Sequence, residues 1–199
     1  MTKLHKDYTK EQPQEIEILL GVINRFIGLF SRQIQRHTKL ETSREYPFIA
    51  MDTRQVFEEL TIARDHLLKR NNCVDLRDKK FLDVGCGFGN VMLFAEQFGF
   101  DVYGIEKDSA SITNALKFFD KSQIIADDIK TFNGYKEFDV VYFFCPLTEG
   151  ERKFEEFLED QIKPGAILIG NYKRSKKIET DKRFKKLSDL LPVWEKISL

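Results

Sequence analysis

Short runs of consecutive apolar residues alternate, along most of this chain, with stretches in which apolar residues have helical spacing. Between the runs, apolar residues recur three and four positions apart, which predicts amphipathic helices. Strands that alternate with helices at this pitch predict an α/β fold with a doubly wound, mostly parallel sheet. Five runs have the length and composition of buried strands, namely residues 81–84, 101–106, 123–126, 138–144 and 166–171.

Two helices are predicted before the first strand. The first begins near Pro13 and the second spans residues 53–70, with Asp52 or Thr53 as its cap. We interpret residues 1–70 as a helical cap on a core formed by residues 71–199. A helix at a membrane surface is the alternative for the first, since Arg25, Arg32 and Arg36 are basic. Its apolar face is predicted to comprise Ile16, Leu19, Leu20, Ile23, Phe26, Ile27, Phe30 and Ile34, widened by Ile18, Val22 and Leu29.

Three glycines follow the first strand. Residues 81–90 read F-L-D-V-G-C-G-F-G-N, and helical spacing resumes directly afterwards. Glycine lets the backbone turn sharply and approach a ligand closely. Strand, glycine loop and helix in this order begin a nucleotide-binding βαβ unit. The dinucleotide fingerprint requires a further glycine where Asn90 stands, which argues against a nicotinamide-dependent oxidoreductase.

The second strand ends at Glu106, about 20 positions after the first glycine. A carboxylate at this offset can accept hydrogen bonds from both hydroxyl groups of a ribose. The third and fourth strands end at Asp127-Asp128 and at Cys145. Ligands of open α/β sheets bind at the carboxyl ends of strands, so these residues are expected to share one site.

The loop with Asp83 ahead of it, together with Glu106, resembles the class I S-adenosyl-L-methionine (SAM) methyltransferases across residues 81–171. The resemblance implies a Rossmann-like core and SAM as cofactor. It also implies that the acid after the third strand contacts adenine; Asp127 and Asp128 are both candidates, and Ile129 favours Asp128. The other implied cofactor-binding residues are Asp83, Gly85, Cys86, Gly87, Gly89, Asn90, Glu106, Lys107, Ile129 and Phe144.

The family core usually adds a sixth and a seventh strand. Only 28 residues follow Asn171, and residues 191–199 can supply one strand, which leaves open a sheet shortened to six.

The methyl acceptor is expected near Cys145-Pro146-Leu147, the family's motif position beside the transferable methyl group. This segment lacks the D-P-P-Y and P-C orders of enzymes that methylate nucleic-acid bases. A weaker resemblance to small lysine methyltransferases rests on P-F-I-A-M-D-T-R-Q-V-F before the glycine loop and on F-D-V-V-Y-F-F-C-P after it. It implies that Tyr46, Phe48 and Thr53 line the methyl site. No catalytic residue is identified, and the acceptor-site candidates are Tyr46, Phe48, Cys145 and Pro146.

We therefore expect a SAM-dependent methyltransferase whose acceptor is a small molecule or a protein side chain. The alternatives are a non-catalytic SAM-binding module and an RNA methyltransferase that uses the basic segment 173–186. Basic and acidic residues balance at 32 each, which argues against a protein devoted to coating nucleic acid. Three unclustered cysteines suit a cytoplasmic protein without metal, and no apolar run is long enough to span a membrane.

Cys145 is predicted not to act as a covalent nucleophile. A thiol must be activated before it adds to a pyrimidine, and no basic residue stands beside it in F-F-C-P-L-T. Cys145→Ser should therefore keep at least a substantial part of any methyl transfer, measured as S-adenosylhomocysteine formed. A covalent complex trapped with a fluoropyrimidine nucleic acid would contradict this prediction.

Overall fold

The computed structural model of this chain describes residues 13–37, 50–144, 147 and 149–198. The four acceptor-site candidates Tyr46, Phe48, Cys145 and Pro146 lie outside these residues.

A mixed sheet forms the centre of the fold. Its strands are β1 Lys80–Val84, β2 Asp101–Glu106, β3 Ile124–Ala126, β4 Val140–Phe144, β5 Ile167–Asn171, β6 Phe184–Lys186 and β7 Val193–Lys196. They lie in the order β3-β2-β1-β4-β5-β7-β6. The first five are parallel, and β7 is antiparallel to both of its neighbours. The predicted doubly wound, mostly parallel sheet is therefore confirmed.

The sheet has seven strands, so the alternative of a sheet shortened to six does not hold. The apolar pattern of the sequence did not predict strand β6. This strand lies within the basic segment 173–186 and forms one edge of the sheet. Two of its three residues are the exposed Lys185 and Lys186. Lysines on an edge strand hinder pairing with other chains, and they also remove the apolar pattern that identifies buried strands.

Helices cover both faces of the sheet. They are α1 Pro13–His37, α2 Thr53–Asn71, α3 Asn90–Gln97, α4 Ser109–Ala115 and α5 Glu151–Gln161. Side chains alternate along each strand, so Phe81 and Tyr142 pack in the core with α1 to α4. Leu82 and Val141 face the opposite way and pack with α5. Burial on both faces explains why the central strands are continuously apolar.

The start of α2 lies at the carboxyl edge of the sheet. The Asp52 side chain accepts a hydrogen bond from the Gln55 backbone N–H at 2.9 Å, which confirms Asp52 as the cap. The Gln55 side chain contacts Asn171, the last residue of β5. At the other end of α2, the Arg70 guanidinium lies 2.5 Å from the carboxylate of Glu195. The helix therefore runs antiparallel to the parallel strands.

The inner face of α1 packs against the glycine loop. Leu20 and Ile23 are buried in the core. The Phe26 and Phe30 rings lie 5.4 and 5.9 Å, centroid to centroid, from the ring of Phe88 in the loop. Aromatic pairs at this separation stabilise packing beyond the area that they bury. The first helix thus packs against the carboxyl end of β1.

The expectation that Ile18, Val22 and Leu29 widen this packed face is wrong. Their side chains are 68%, 60% and 61% exposed. These residues form a separate stripe, because the core covers only one side of α1.

The Lys196 side chain caps the end of α5 from within the protein. The lysine is buried, and its ammonium donates hydrogen bonds to the carbonyl oxygens of Glu159, Asp160 and Ile162 at 2.9, 3.0 and 2.9 Å. Carbonyls in the last turn of a helix have no partner within the helix. Burial lowers the pKa of this ammonium group.

Lys196→Met should lower the free energy of unfolding by about 1–3 kcal/mol, because buried carbonyl oxygens lose their donor. Urea denaturation measures the change, and Lys185→Met on the exposed edge strand is the matched control. Equal losses in the two variants would contradict the capping role.

Candidate functional site

The loop between β1 and α3 depends on glycine. Gly85, Gly87 and Gly89 have φ angles of 79°, 56° and 87°, in the left-handed region that other residues rarely adopt. A Cβ atom at Gly89 would also lie 2.4 Å from a ring carbon of Phe119. Both backbone conformation and space therefore require glycine at position 89.

The Glu106 carboxylate joins this loop to the end of β2. One oxygen accepts a hydrogen bond from the Gly87 backbone N–H at 2.9 Å, and the other accepts from those of Lys107 and Asp108 at 2.8 Å each. Burial raises the pKa of Glu106, and the three N–H donors oppose that rise. A carboxylate has about four acceptor positions, so the described backbone occupies three of them. The fourth, on the oxygen that faces Gly87, is available to a ligand.

Asp83 is a buried acid at the end of β1. Its residue surface is 3% exposed, and no described residue donates a hydrogen bond to its carboxyl group. Burial, with a smaller contribution from the charge of Glu106, raises the pKa of Asp83 to about 8. The carboxyl group is therefore mostly protonated at neutral pH, and a cation placed beside it would favour its ionised form.

Cys86 and Asn90, both predicted to bind the cofactor, are buried. A Cβ atom built on Gly104 would lie 2.5 Å from the Cys86 sulfur, so this thiol fills the space beside β2. Burial raises the pKa of the thiol well above its ordinary value. Its backbone N–H donates to the Ile105 carbonyl at 2.9 Å, and its carbonyl accepts a hydrogen bond from the Gly89 N–H at 2.8 Å. Neither the thiolate nor the N–H of Cys86 is therefore available to a ligand. Asn90 is the first residue of α3 and is 5% exposed.

The two aspartates after β3 have different surroundings. Asp127 is exposed, and one of its oxygens accepts a hydrogen bond from the Asp128 backbone N–H. Asp128 is half-buried, and its carboxylate lies 3.4 Å from the Lys107 ammonium next to the end of β2. Ile129 is buried in the core. Asp128 is therefore the acid that faces the neighbouring strand end.

Two aromatic rings meet at the ends of β4 and β5. The rings of Phe144 and Tyr172 lie 5.5 Å apart, centroid to centroid. Tyr172 is 67% exposed and has a φ angle of 54°, which is uncommon for a residue other than glycine. Sequence reasoning missed Tyr172, because nothing in the pattern predicts a left-handed backbone at a tyrosine.

A buried polar cluster of Gln55, Glu59 and Asn171 lies beside these rings. The Glu59 carboxyl group accepts hydrogen bonds from the amide groups of Gln55 and Asn171 at 2.8 and 2.9 Å. Burial raises the pKa of Glu59 to about 7. Sequence reasoning missed this cluster, although a signal existed. Glu59 stands three residues after Val56 and one before Leu60, within the apolar stripe of α2.

Many cations of the basic segment pair with acidic side chains. Lys173 is largely buried, and its ammonium lies 2.5 Å from Glu159 and 3.3 Å from Glu155. Paired cations contribute less to binding a phosphate backbone, which weakens the case for a nucleic-acid surface here. The other pairs are Arg174 with Glu151, Lys177 with Glu156, Arg183 with Asp160 and Asp181, and Lys186 with Glu179.

The ends of β1, β2 and β3 together suit an elongated ligand that has a cationic group and several hydrogen-bond donors. Asp83, Glu106 and Asp128 lie at the carboxyl ends of three neighbouring strands, which are spaced about 4.8 Å apart. Across the described part of the chain, no group of three or more His, Cys, Asp or Glu side chains could hold a metal ion.

Residues 82–169 match the family model described as a methyltransferase domain. This stretch, 88 of the 199 residues, is similar to that family. The match runs from β1 into β5 and includes the glycine loop, Glu106 and both aspartates, so the resemblance to class I methyltransferases is confirmed for this part of the chain. The weaker resemblance to lysine methyltransferases stays a prediction.

Several solved structures, some of them described as methyltransferases, resemble parts of the chain. DesVI of Streptomyces venezuelae is 21% identical, with 58% of this chain and 50% of that chain covered and a TM-score of 0.43. The plantazolicin methyltransferase BpumL, in complex with a triazolic desmethylPZN analog and SAH, is 19% identical, with 79% and 58% covered and a TM-score of 0.46. A putative RNA methyltransferase, PH1948 of Pyrococcus horikoshii, is 16% identical, with 60% and 58% covered and a TM-score of 0.48.

The chain thus covers only 50% to 58% of the length of these three structures. A search of curated proteins found no match to this sequence.

Asp83→Asn should raise the stability of the ligand-free protein at alkaline pH. Because the folded-state pKa lies above the ordinary value of 3.8, the folded protein keeps a proton that the unfolded chain releases between about pH 4 and 8. The contribution of Asp83 to the free energy of unfolding therefore falls as pH rises through that window, whereas asparagine carries no charge. The gain of the variant over the wild type in free energy of unfolding should therefore be larger at pH 8.5 than at pH 5 by about 4 kcal/mol, because each pH unit of the window contributes about 1.4 kcal/mol. Melting temperatures at the two pH values measure the difference. A melting-temperature difference that is the same at both pH values would contradict the protonated state.

Proposed function

We propose that this chain is an enzyme that transfers the methyl group of SAM to a small molecule or a protein side chain. The observation that carries the proposal is the unpartnered, buried carboxyl group of Asp83 beside the glycine loop of a methyltransferase domain. When bound, SAM supplies a methyl group already activated on a sulfonium centre. The protein's part is then chiefly to bind and position the two reactants.

The amino-acid end of SAM carries an ammonium and a carboxylate, and the end of β1 suits both. The Asp83 carboxyl group lacks a partner among the described residues, so it can pair with the ammonium after losing its proton. Backbone N–H groups of a glycine loop at the start of a helix favour a carboxylate. Binding would therefore release a proton near neutral pH.

The ribose and the adenine would lie over the ends of β2 and β3. Glu106 has one acceptor position available for a ribose hydroxyl. A second ribose hydroxyl could bind Glu106 only by sharing an acceptor position with one of the three backbone N–H groups or by replacing that N–H group. Asp128 is the better candidate for the adenine amino group, because Asp127 is turned to solvent. This arrangement places the methyl group on the β4 side of the sheet.

The acceptor would lie at the ends of β4 and β5. Phe144 and Tyr172 offer apolar surface there, and the start of α2 approaches through Gln55. The segment that leads into α2 contains Tyr46 and Phe48, so both remain candidates for the acceptor wall, with Cys145 and Pro146 after β4. We propose that residues 1–70 act as a cap that closes this side of the core formed by residues 71–199.

S-adenosylhomocysteine should bind at micromolar strength and NAD should not, as measured by calorimetry. Glu106→Ala should weaken the binding of S-adenosylhomocysteine by roughly 1.5–3 kcal/mol, because hydrogen bonds to a charged group are lost. Asp128→Ala should weaken it as well, and Asp127→Ala is the matched control because that side chain is exposed. Tighter binding of NAD than of S-adenosylhomocysteine would overturn the proposal.

Catalysis is tested separately from binding. Conversion of SAM to S-adenosylhomocysteine by the full chain, supplied with cell extract as a source of acceptors, separates an enzyme from a non-catalytic SAM-binding module. Loss of that conversion in Glu106→Ala, with the fold retained by circular dichroism, attributes the activity to this site.

A further inference from the structure

The outer face of α1 carries an exposed apolar stripe. Ile18, Val22 and Leu29 are 68%, 60% and 61% exposed. At 3.6 residues per turn, their side chains leave the helix within about 40° of one another. Single exposed apolar residues are common on soluble proteins, but three on one side of one helix form a patch that indicates a partner.

Three arginines lie along the same side of α1. Arg25, Arg32 and Arg36 are exposed and fall within about 40° of the direction of Ile18. Within the described residues, no acidic side chain forms an ion pair with any of them. The nearby acid Glu17 pairs instead with Arg54 at the start of α2.

The exposed apolar side chains and the three arginines, which form no ion pair with a described acid, together favour some kinds of binding partner over others. A second copy of the chain, placed face to face, would bury three arginines from each copy beside apolar residues, while Glu15 is the one acid on this side of α1 among the described residues. A nucleic acid would satisfy the arginines but leave the apolar stripe in water. A membrane surface of anionic lipids accepts both, since apolar side chains enter the acyl boundary while long arginine side chains reach the phosphates.

We propose that the outer face of α1 binds the surface of an anionic membrane, with the helix axis parallel to it. None of the described helices is long and apolar enough to cross a bilayer, so the helix would lie on the membrane and not within it. The opposite face of α1 packs on Phe88 in the glycine loop. A membrane would therefore lie about one helix diameter, roughly 10 Å, from that loop.

Vesicle sedimentation with the full chain tests this proposal and does not depend on methyl transfer. The chain should sediment with vesicles of phosphatidylcholine and phosphatidylglycerol, and much less with phosphatidylcholine alone. The triple variant Arg25→Gln, Arg32→Gln, Arg36→Gln should reduce partitioning on the order of 100-fold, because each basic residue contributes about fivefold near an anionic surface. Val22→Ser combined with Leu29→Ser should reduce it on the order of tenfold.

Two control variants make the result specific to α1. Lys176→Gln, Lys182→Gln, Lys185→Gln removes the same charge from the exposed part of the C-terminal basic segment, and Val74→Ser removes an apolar side chain that is 96% exposed elsewhere. Both should sediment like the wild type, and all variants should keep its melting temperature.

Three results would overturn the proposal. One is the absence of sedimentation with the anionic vesicles. Another is an equal loss in the lysine control, which would indicate general charge attraction. The third is a lipid-free dimer that dissociates in the Val22 and Leu29 variant while vesicle binding is unchanged, which would assign the stripe to a second copy of the chain.

Discussion

The carboxylate of Glu106 holds the site together, because it satisfies three backbone N–H groups from two separate strand ends. Without it, the glycine loop and the turn after β2 would each contain polar backbone groups lacking a partner. Burial of this acid is unfavourable on its own, and the N–H donors offset that cost. Its charge also reaches Asp83, whose burial is not offset in this way. The Glu106 carboxylate is thus hydrogen-bonded within the fold, whereas no described residue donates a hydrogen bond to Asp83.

The parts of this arrangement that sequence could predict are those determined by local chemistry. Three glycines after an apolar run predict a sharp turn, and an acid at the end of the next strand lies beside it because neighbouring parallel strands end at the same edge. Asp52 caps α2 as the pattern predicts, and Asp108 caps α4 by the same local chemistry, each accepting a hydrogen bond from a backbone N–H three residues later. These features require no knowledge of distant packing.

The features that the sequence did not predict depend on contacts with residues that lie far away along the chain. Segment 173–186 reads as a run of free positive charge, but Lys173 is held by acids on α5 that lie 14 and 18 residues earlier. Edge strand β6 is hidden in the same run, because exposed lysines mask its apolar alternation. The apolar face of α1 was drawn too wide, since periodicity shows that residues share a side but not how much of that side the core covers.

The polar cluster of Gln55, Glu59 and Asn171 explains why the N-terminal helices matter to a site built on strand ends. It is the buried hydrogen-bonded link between α2 and the end of β5, and a buried carboxyl group between two amides tolerates little displacement. Burial raises the pKa of Glu59 to about 7 from 4.5, so the stability that it contributes falls as pH rises through that interval. A stabilising role alone would favour an apolar side chain here. The hydrogen bonds of an acid instead fix the start of α2 over the carboxyl edge of the sheet.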